Sequence, residues 1–569
     1  MPDRAGRSTL LDACTSTPKG LFRSLLVVLE WKENSPSAPR SVHAMEAFRS
    51  LVGLQALTRA VNFALTTALA RKLGPELIGL ANVQLQLVAA SALFFAKEGL
   101  RRACQRVYPG GDGPPLAHGV NLAWLAVPLT FVSGLAVGYS TRRGSSNETV
   151  SADAYSDTVL LFCVAAIVEA AAEPAWLYAQ ANGLIPTRVT AEGGALLLRA
   201  LATGLLVLRG NGGGDGAALA FGWAQLLYAA SYLFLLCLLL HWRTGGKIFG
   251  ALTPRRALED SNAPAAWLPR THLTVTYQYL WQSVQKYLLT EGERLVLVGY
   301  ADLHQQGVFA LVSNLGSLVA RLVLQPVEEV VFAHYSQLAA SARLAKRRTI
   351  GLNALRRMHA LLRAAAIFGG LFLAFGPPYS WLLLRLLYGT KWTTGTNAPT
   401  LLGAYCLHVM MMAINGIGEA YVNATATEAE LTKLSRYMVL LAIVYLPAAA
   451  LSLKFAGSVG LVLANALNMV ARAAYAYTTL TAATNAAASA KTVLPRRWPH
   501  RYVMLALGAS STITLLVGAA LGAPADRSPV RHALHVAVGG GCLLVVGACA
   551  WKFEPELLEA ISTARSKGE

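Results

Sequence analysis

The stretch Asn314-Leu315-Gly316-Ser317-Leu318-Val319-Ala320-Arg321-Leu322-Val323-Leu324-Gln325-Pro326-Val327-Glu328-Glu329 is mostly apolar, yet it carries an arginine, a glutamine and two glutamates. Read at helical pitch, Asn314, Ser317, Arg321, Gln325 and Glu328 step by three, four, four and three, so they share one face of a helix whose other faces are aliphatic. Such a helix belongs in a membrane with its polar face turned to protein or water. An ionisable group left facing lipid costs roughly 3 kcal/mol by insertion scales.

The surrounding chain supports that reading. Of 569 residues, 54% are hydrophobic and 14% charged, against about 25% charged in an ordinary soluble domain. Mean hydropathy is +0.45, which excludes a water-soluble protein. Apolar windows of about 20 residues, long enough to span, begin near 47, 77, 117, 157, 184, 216, 274, 305, 360, 398, 434, 458, 501 and 531. The expectation is an all-α polytopic membrane protein of about 14 transmembrane helices. Its domains are a cytosolic extension (1–46), a first six-helix lobe (47–241), a cytosolic loop (242–273), a second six-helix lobe (274–482), and two further helices with a cytosolic tail (483–569).

A net charge of +19 would point to nucleic acid in a soluble protein. Here its distribution excludes that partner. With the N-terminus cytosolic, 33 of the 49 Lys and Arg lie in loops on that side and ten on the other, so the positive-inside rule puts both termini in the cytosol. The sequon Asn147-Glu148-Thr149 then faces the lumen and is expected to carry glycan, whereas Asn423-Ala424-Thr425 lies at a cytosolic helix end and is expected to stay bare. Arg188 is counted as part of the orientation signal.

Six basic residues remain inside spans: Arg59, Arg199, Lys286, Arg294, Arg321 and Arg472. Their neighbours recur at helical spacing: Gln55, Arg59, Asn62 and Thr66; Gln278, Gln282, Lys286, Thr290 and Glu293; His408, Met412, Asn415 and Glu419; Asn465, Asn468 and Arg472. One such stripe would only knit helices together. Five of them, drawn from both lobes, read as the wall of a hydrated, cation-rich cavity between the lobes. Within it, Glu291 with Arg294, or Arg321 with Glu328, are spaced to form internal ion pairs. His408 reads as a packing residue, and Pro174 and Pro326 as kinks. A faint echo joins the halves: Leu73-Gly74-Pro75-Glu76-Leu77-Ile78-Gly79 opens the second helix and Leu303-His304-Gln305-Gln306-Gly307 the eighth. A parallel repeat of this kind is a common transporter plan.

Enzymatic signatures are missing. There is no GxxxxGK[ST] phosphate loop, HExxH, GxSxG or CxxC, and the seven cysteines show no metal spacing. No catalytic residue, metal or cofactor is expected. Glu328-Glu329 as the acid pair of a membrane glycosyltransferase is a weaker alternative, because the loops expected on the lumenal side are short.

Several segments carry a resemblance. Ala96-Lys97-Glu98-Gly99-Leu100-Arg101-Arg102-Ala103-Cys104, Glu173-Pro174-Ala175-Trp176, Leu289-Thr290-Glu291-Gly292-Glu293-Arg294, Asn314 to Arg321, Gln325 to Glu329, Ala413 to Glu419 and Gly457 to Asn465 resemble, in the same order, the Rft-type proteins. The similarity covers about 45–555. It implies the multidrug/oligosaccharidyl-lipid/polysaccharide flippase superfamily, with two six-helix lobes. It also implies an endoplasmic-reticulum membrane protein that moves the dolichol-diphosphate heptasaccharide, five mannoses on two N-acetylglucosamines, from the cytosolic to the lumenal leaflet for protein N-glycosylation. The alternative within that pathway is an accessory role beside other N-glycosylation proteins. The expected partners are this glycolipid and membrane lipid. The residues expected to touch the anionic head group are Arg59, Asn62, Arg101, Lys286, Glu291, Arg294, Asn314, Arg321, Gln325, Glu328, Asn415, Glu419 and Arg472.

Overall fold

The computed structural model describes residues 61, 63–107, 116–142, 149–209, 213–246, 248–256, 267–268, 270–345, 350–487, 496 and 498–555. The candidates Arg59, Asn62 and Asn147, and the 1–46 extension, lie outside the described residues. A helix through 63–72 (α1) is followed by Pro75–Cys104 (α2), Leu116–Thr141 (α3), Ala152–Ala181 (α4), Ile185–Arg209 (α5), Gly213–Arg243 (α6), Arg270–Tyr300 (α7), Leu303–Leu344 (α8), Leu352–Tyr388 (α9), Ala398–Thr425 (α10), Glu428–Ala487 (α11), Arg501–Ala520 (α12) and Pro529–Phe553 (α13).

Among the described residues, eleven helices are long and apolar enough to cross a membrane. The expected count of 14 is not reached on length and hydropathy alone, for physical reasons. α7 has 31 residues but carries Gln278, Gln282, Lys286, Glu291, Glu293 and Arg294, so it falls outside the apolar set. α11 runs over 60 residues because two limbs meet at Gly457 (φ 58°, ψ −152°), a left-handed conformation that glycine adopts without steric cost. α1 is described only in part.

The helices pack in two groups. α2 packs on α3 and α4, and α6 packs on α4 and α5; in the other group α10 packs on α8, α9 and α11. α12 and α13 pair with each other, and α12 rests on α9. A buried ion pair, Arg363 Nε to Glu554 at 3.3 Å with both side chains 1% exposed, ties the end of α13 to α9.

α7 lies against both groups. Gly99 of α2 leaves room for Leu280, and Gly292 leaves room for Leu446 of α11.

Expected kinks acquire a concrete form. α4 breaks at Ala171–Ala172, and Pro174 enters the next turn, where its missing N–H costs nothing. α8 widens to a π-turn over Ala320–Leu324, directly before Gln325-Pro326, and α2 contains two such turns, Leu80–Gln84 and Phe95–Leu100. Each π-turn inserts one residue and rotates the side chains beyond it, a device concentrated at functional sites.

The end opposite the basic loops is closed. Gly79 of α2 and Gly307 of α8 are in backbone contact: a Cβ on Gly79 would sit 2.8 Å from Gly307 N, and one on Gly307 would overlap Pro75 O. Around this contact Arg71 donates to Leu387 O and Leu386 O at 2.6 Å each, and fully buried Trp392 donates from Nε1 to Ala70 O at 2.8 Å. Lys391 reaches Lys72 O at 3.2 Å, and Glu76 meets His304 Nδ1 at 2.9 Å.

Candidate functional site

Charged residues inside the spans gather in two clusters, one per helix group. In the first, α2 and α4 run in the same direction and form two rungs. Lys97 Nζ donates to Glu169 Oε1 at 2.5 Å, and Arg101 donates from Nε and Nη2 to both oxygens of Glu173 at 2.6 and 2.7 Å. Glu169 and Glu173 are almost fully buried. The two-pronged Arg101–Glu173 pair holds a guanidinium in fixed orientation.

The indole of Trp176 lies beneath that guanidinium at 4.4 Å, and Arg188 of α5 lies over the same ring at 4.9 Å. Deeper in, Tyr228 donates to Glu169 at 3.4 Å, and Arg199 donates to Gln225 at 3.0 Å. Glu98, on the π-turn of α2, pairs with Arg102 (3.4 Å) and accepts from Lys286 of α7, while Ser91 bonds Tyr287. Two candidates, Arg101 and Lys286, are therefore each paired with a carboxylate of the first group.

In the second cluster, Arg294 Nη1 donates to Glu291 at 2.8 Å, as the spacing allowed. Arg472 donates from Nε and Nη2 to the two oxygens of Glu419 at 2.7 Å each. Arg321 and Glu328, the other spaced pair, take different partners. Arg321 is exposed and donates to Asn314 Oδ1 (2.9 Å) and Ser317 Oγ (2.7 Å), two neutral acceptors that fix its direction. Glu328 lays its carboxylate against Gly416, where a Cβ would displace it.

Gln325 donates to Glu329 at 3.3 Å. Between α8 and α10 a cleft of about 250 Å³ is lined by Glu328, Glu329, Phe332, Gly416, Glu419, Ala420 and Asn423. Asn415 is buried beside it, its Nδ2 3.5 Å from Met469 Sδ and its Oδ1 without a partner among the described residues. His408 is buried edge-on to Tyr405.

Lys97, Glu98 and Glu173 entered the sequence reading only within segments that carry the resemblance, and Glu169 not at all, although a signal for their pairing existed. Lys97 and Arg101 are four apart on one helix, and Glu169 and Glu173 are four apart on another, a matched charge spacing. Among the described residues no group of three or more His, Cys, Asp or Glu is arranged to hold a metal ion. The geometry offers cations, amide and hydroxyl donors, and carboxylates that orient those cations.

A family model described as Rft protein matches residues 43–563. A Xenopus tropicalis protein named Man(5)GlcNAc(2)-PP-dolichol translocation protein RFT1 is 31% identical over 89% of this chain and 94% of its own length. The Mus musculus protein of the same name is 33% identical over 73% of this chain and 78% of its own. Among solved structures, the lipid II flippase MurJ in an inward closed conformation aligns with TM-score 0.57 at 12% identity, over 88% of this chain and 98% of that one, a likeness of fold alone. A family match over nearly the whole chain, with relatives above 30% identity across most of both sequences, places this chain in the Rft protein family.

Proposed function

We propose that the protein is a glycolipid flippase of the endoplasmic-reticulum membrane. It carries the dolichol-diphosphate heptasaccharide, five mannoses on two N-acetylglucosamines, from the cytosolic to the lumenal leaflet for N-glycosylation. The relatives' names supply the substrate. The observation that carries the activity is the exposure of cations in mid-membrane segments: Arg321 is exposed on α8, and the side chains of Lys286 and Arg294 on α7 are 37% and 43% exposed. Facing lipid, an exposed arginine such as Arg321 would cost roughly 3 kcal/mol. Facing a wet cavity it is held ready for an anion.

In this reading the guanidinium forks and Lys286 take the diphosphate, and Asn314, Gln325 and Asn415 hydrogen-bond sugar, with Arg59 and Asn62 of the first span completing the wall. The dolichol tail stays in lipid between the lobes (47–241 and 274–482). The Gly79–Gly307 contact closes the lumenal end while the cytosolic end loads, and rocking of the lobes then exposes the head group to the lumen. No nucleotide-hydrolysis motif is present, so consumption of the product or an ion gradient sets direction. Both termini lie in the cytosol, and Asn147 carries the glycan.

One observation favours a second reading, an accessory protein of the same pathway. Arg101, Lys286, Arg294 and Arg472 all have carboxylate partners, which suits a static scaffold. The purified protein in liposomes with the lipid-linked heptasaccharide separates the two. Translocation by wild type, reduced about tenfold or more in Arg294→Ala and Arg321→Ala, supports the flippase. Rates equal to empty liposomes in all three support the accessory role. Glycan on Asn423 would reverse the orientation.

A further inference from the structure

We propose that Arg188, seated on Trp176 beside the Arg101–Glu173 pair, is a phosphate-anchoring residue at the basic-loop end of the first helix group; its ligand is a diphosphate or phosphate ester. The inference deepens the flippase reading and rests on it for the identity of the ligand. Four features of Arg188 carry it.

The first is charge. Lys97 and Arg101 each face a buried glutamate, but among the described residues Arg188 forms no ion pair. Its polar partner is the neutral Gln180, through Nη1 at 2.7 Å, and its Nε is buried without an acceptor. Glu192, exposed one turn along α5, attracts it without pairing.

The second is anchorage. Trp176 holds the guanidiniums of Arg101 and Arg188 within 4.4 and 4.9 Å of one ring, so Arg188 is pinned beside an arginine whose own charge Glu173 already balances. Arg101 cannot move away, because both its prongs are spent on Glu173.

The third is position. Arg188 sits in the first turn of α5, where the helix dipole disfavours a cation. The fourth is access, since its side chain is only partly buried while Trp176 beneath it is 7% exposed. A phosphate oxygen at the accessible part of the Arg188 side chain supplies the counter-charge that this cation lacks among the described residues. Arg101, by contrast, is already neutralised and serves to position the pair.

Purified full-length protein is melted in detergent with farnesyl diphosphate, farnesol or inorganic diphosphate, comparing wild type, Arg188→Gln and Arg188→Lys. The expected result is stabilisation of wild type by farnesyl diphosphate, weakened by salt, none by farnesol, and an apparent affinity about tenfold lower in Arg188→Gln. Arg188→Lys keeps the charge and the ring contact but loses the fork, so it folds and binds with intermediate affinity, and it carries the test if the glutamine variant melts early. A stronger response to farnesyl diphosphate than to inorganic diphosphate assigns the site to a lipid head group; equal responses assign it to free phosphate. Wild-type affinity in both variants, or no binding by wild type, overturns the proposal. Translocation measured in parallel separates the two readings. A wild type that translocates with Arg188 irrelevant to binding sinks this inference alone. A wild type that binds through Arg188 without translocating sinks the flippase.

Discussion

Glu554 gathers two guanidiniums around a carboxylate that is almost fully buried. It pairs with Arg363 and Arg496 and accepts from the backbone N–H of His500 at 2.7 Å, with its own side chain 1% exposed. Removing one partner of a fully buried ion pair typically costs about 3–5 kcal/mol, because the charge left behind has nothing to offset its desolvation. Glu554→Gln is therefore expected to lower the melting temperature in detergent while leaving α1 to α8 intact; an unchanged melting curve would show that the α12–α13 pair is not held by this residue. Arg472 and Glu419 invite a complementary experiment. Either single neutralisation should reduce translocation, and the exchange of Arg472→Glu with Glu419→Arg should restore part of it. No recovery in the exchanged protein would mean that Arg472 acts on substrate rather than on Glu419.

At the scale of the helix, the π-turn of α8 decides where its carboxylates point. Without the residue inserted within Ala320–Leu324, everything beyond would rotate by about 100°, carrying Glu328 and Glu329 away from the cleft they share with Glu419. Deleting Val323 should restore a regular α-helix, keep the protein folded, and abolish translocation; normal transport in the deletion would show that the turn is incidental. Such turns were not legible in the sequence, because a one-residue slip in hydrogen bonding leaves no compositional mark. The proline that follows Gln325 was the nearest sign, and it was read as a kink. α7 shows the reverse case. Its Gln278, Gln282 and Lys286 stripe marked it as a helix at the site, although its low hydropathy hides it from a count of apolar spans.

Over the whole molecule, the alternation of apolar windows and basic loops made the all-helical membrane architecture readable. The pairings inside it depend on contacts between residues far apart in sequence. Glu169 lies 72 residues from Lys97, and Glu98 lies 188 from Lys286. Arg188 was read as an orientation signal because its contact with Trp176 exists only in three dimensions. The closed end allows a direct test of the rocking mechanism. Lys72→Cys with Lys391→Cys, in a background without native cysteines, should be bridged by a reducible bifunctional thiol reagent that replaces the reach of the Lys391 side chain, and stop transport until reduced. Undiminished transport in the cross-linked protein would exclude motion of this end.

Gly79 and Gly307 are each the fifth residue of their helix, and each is the other's neighbour in space. Substituting alanine at either one strains the same interface, and once the first methyl has pushed the backbones apart the second has less left to disturb. The two substitutions should therefore be strongly non-additive, the double variant transporting about as poorly as either single one. A closed end built this way is indifferent to which half of the chain bears the lesion.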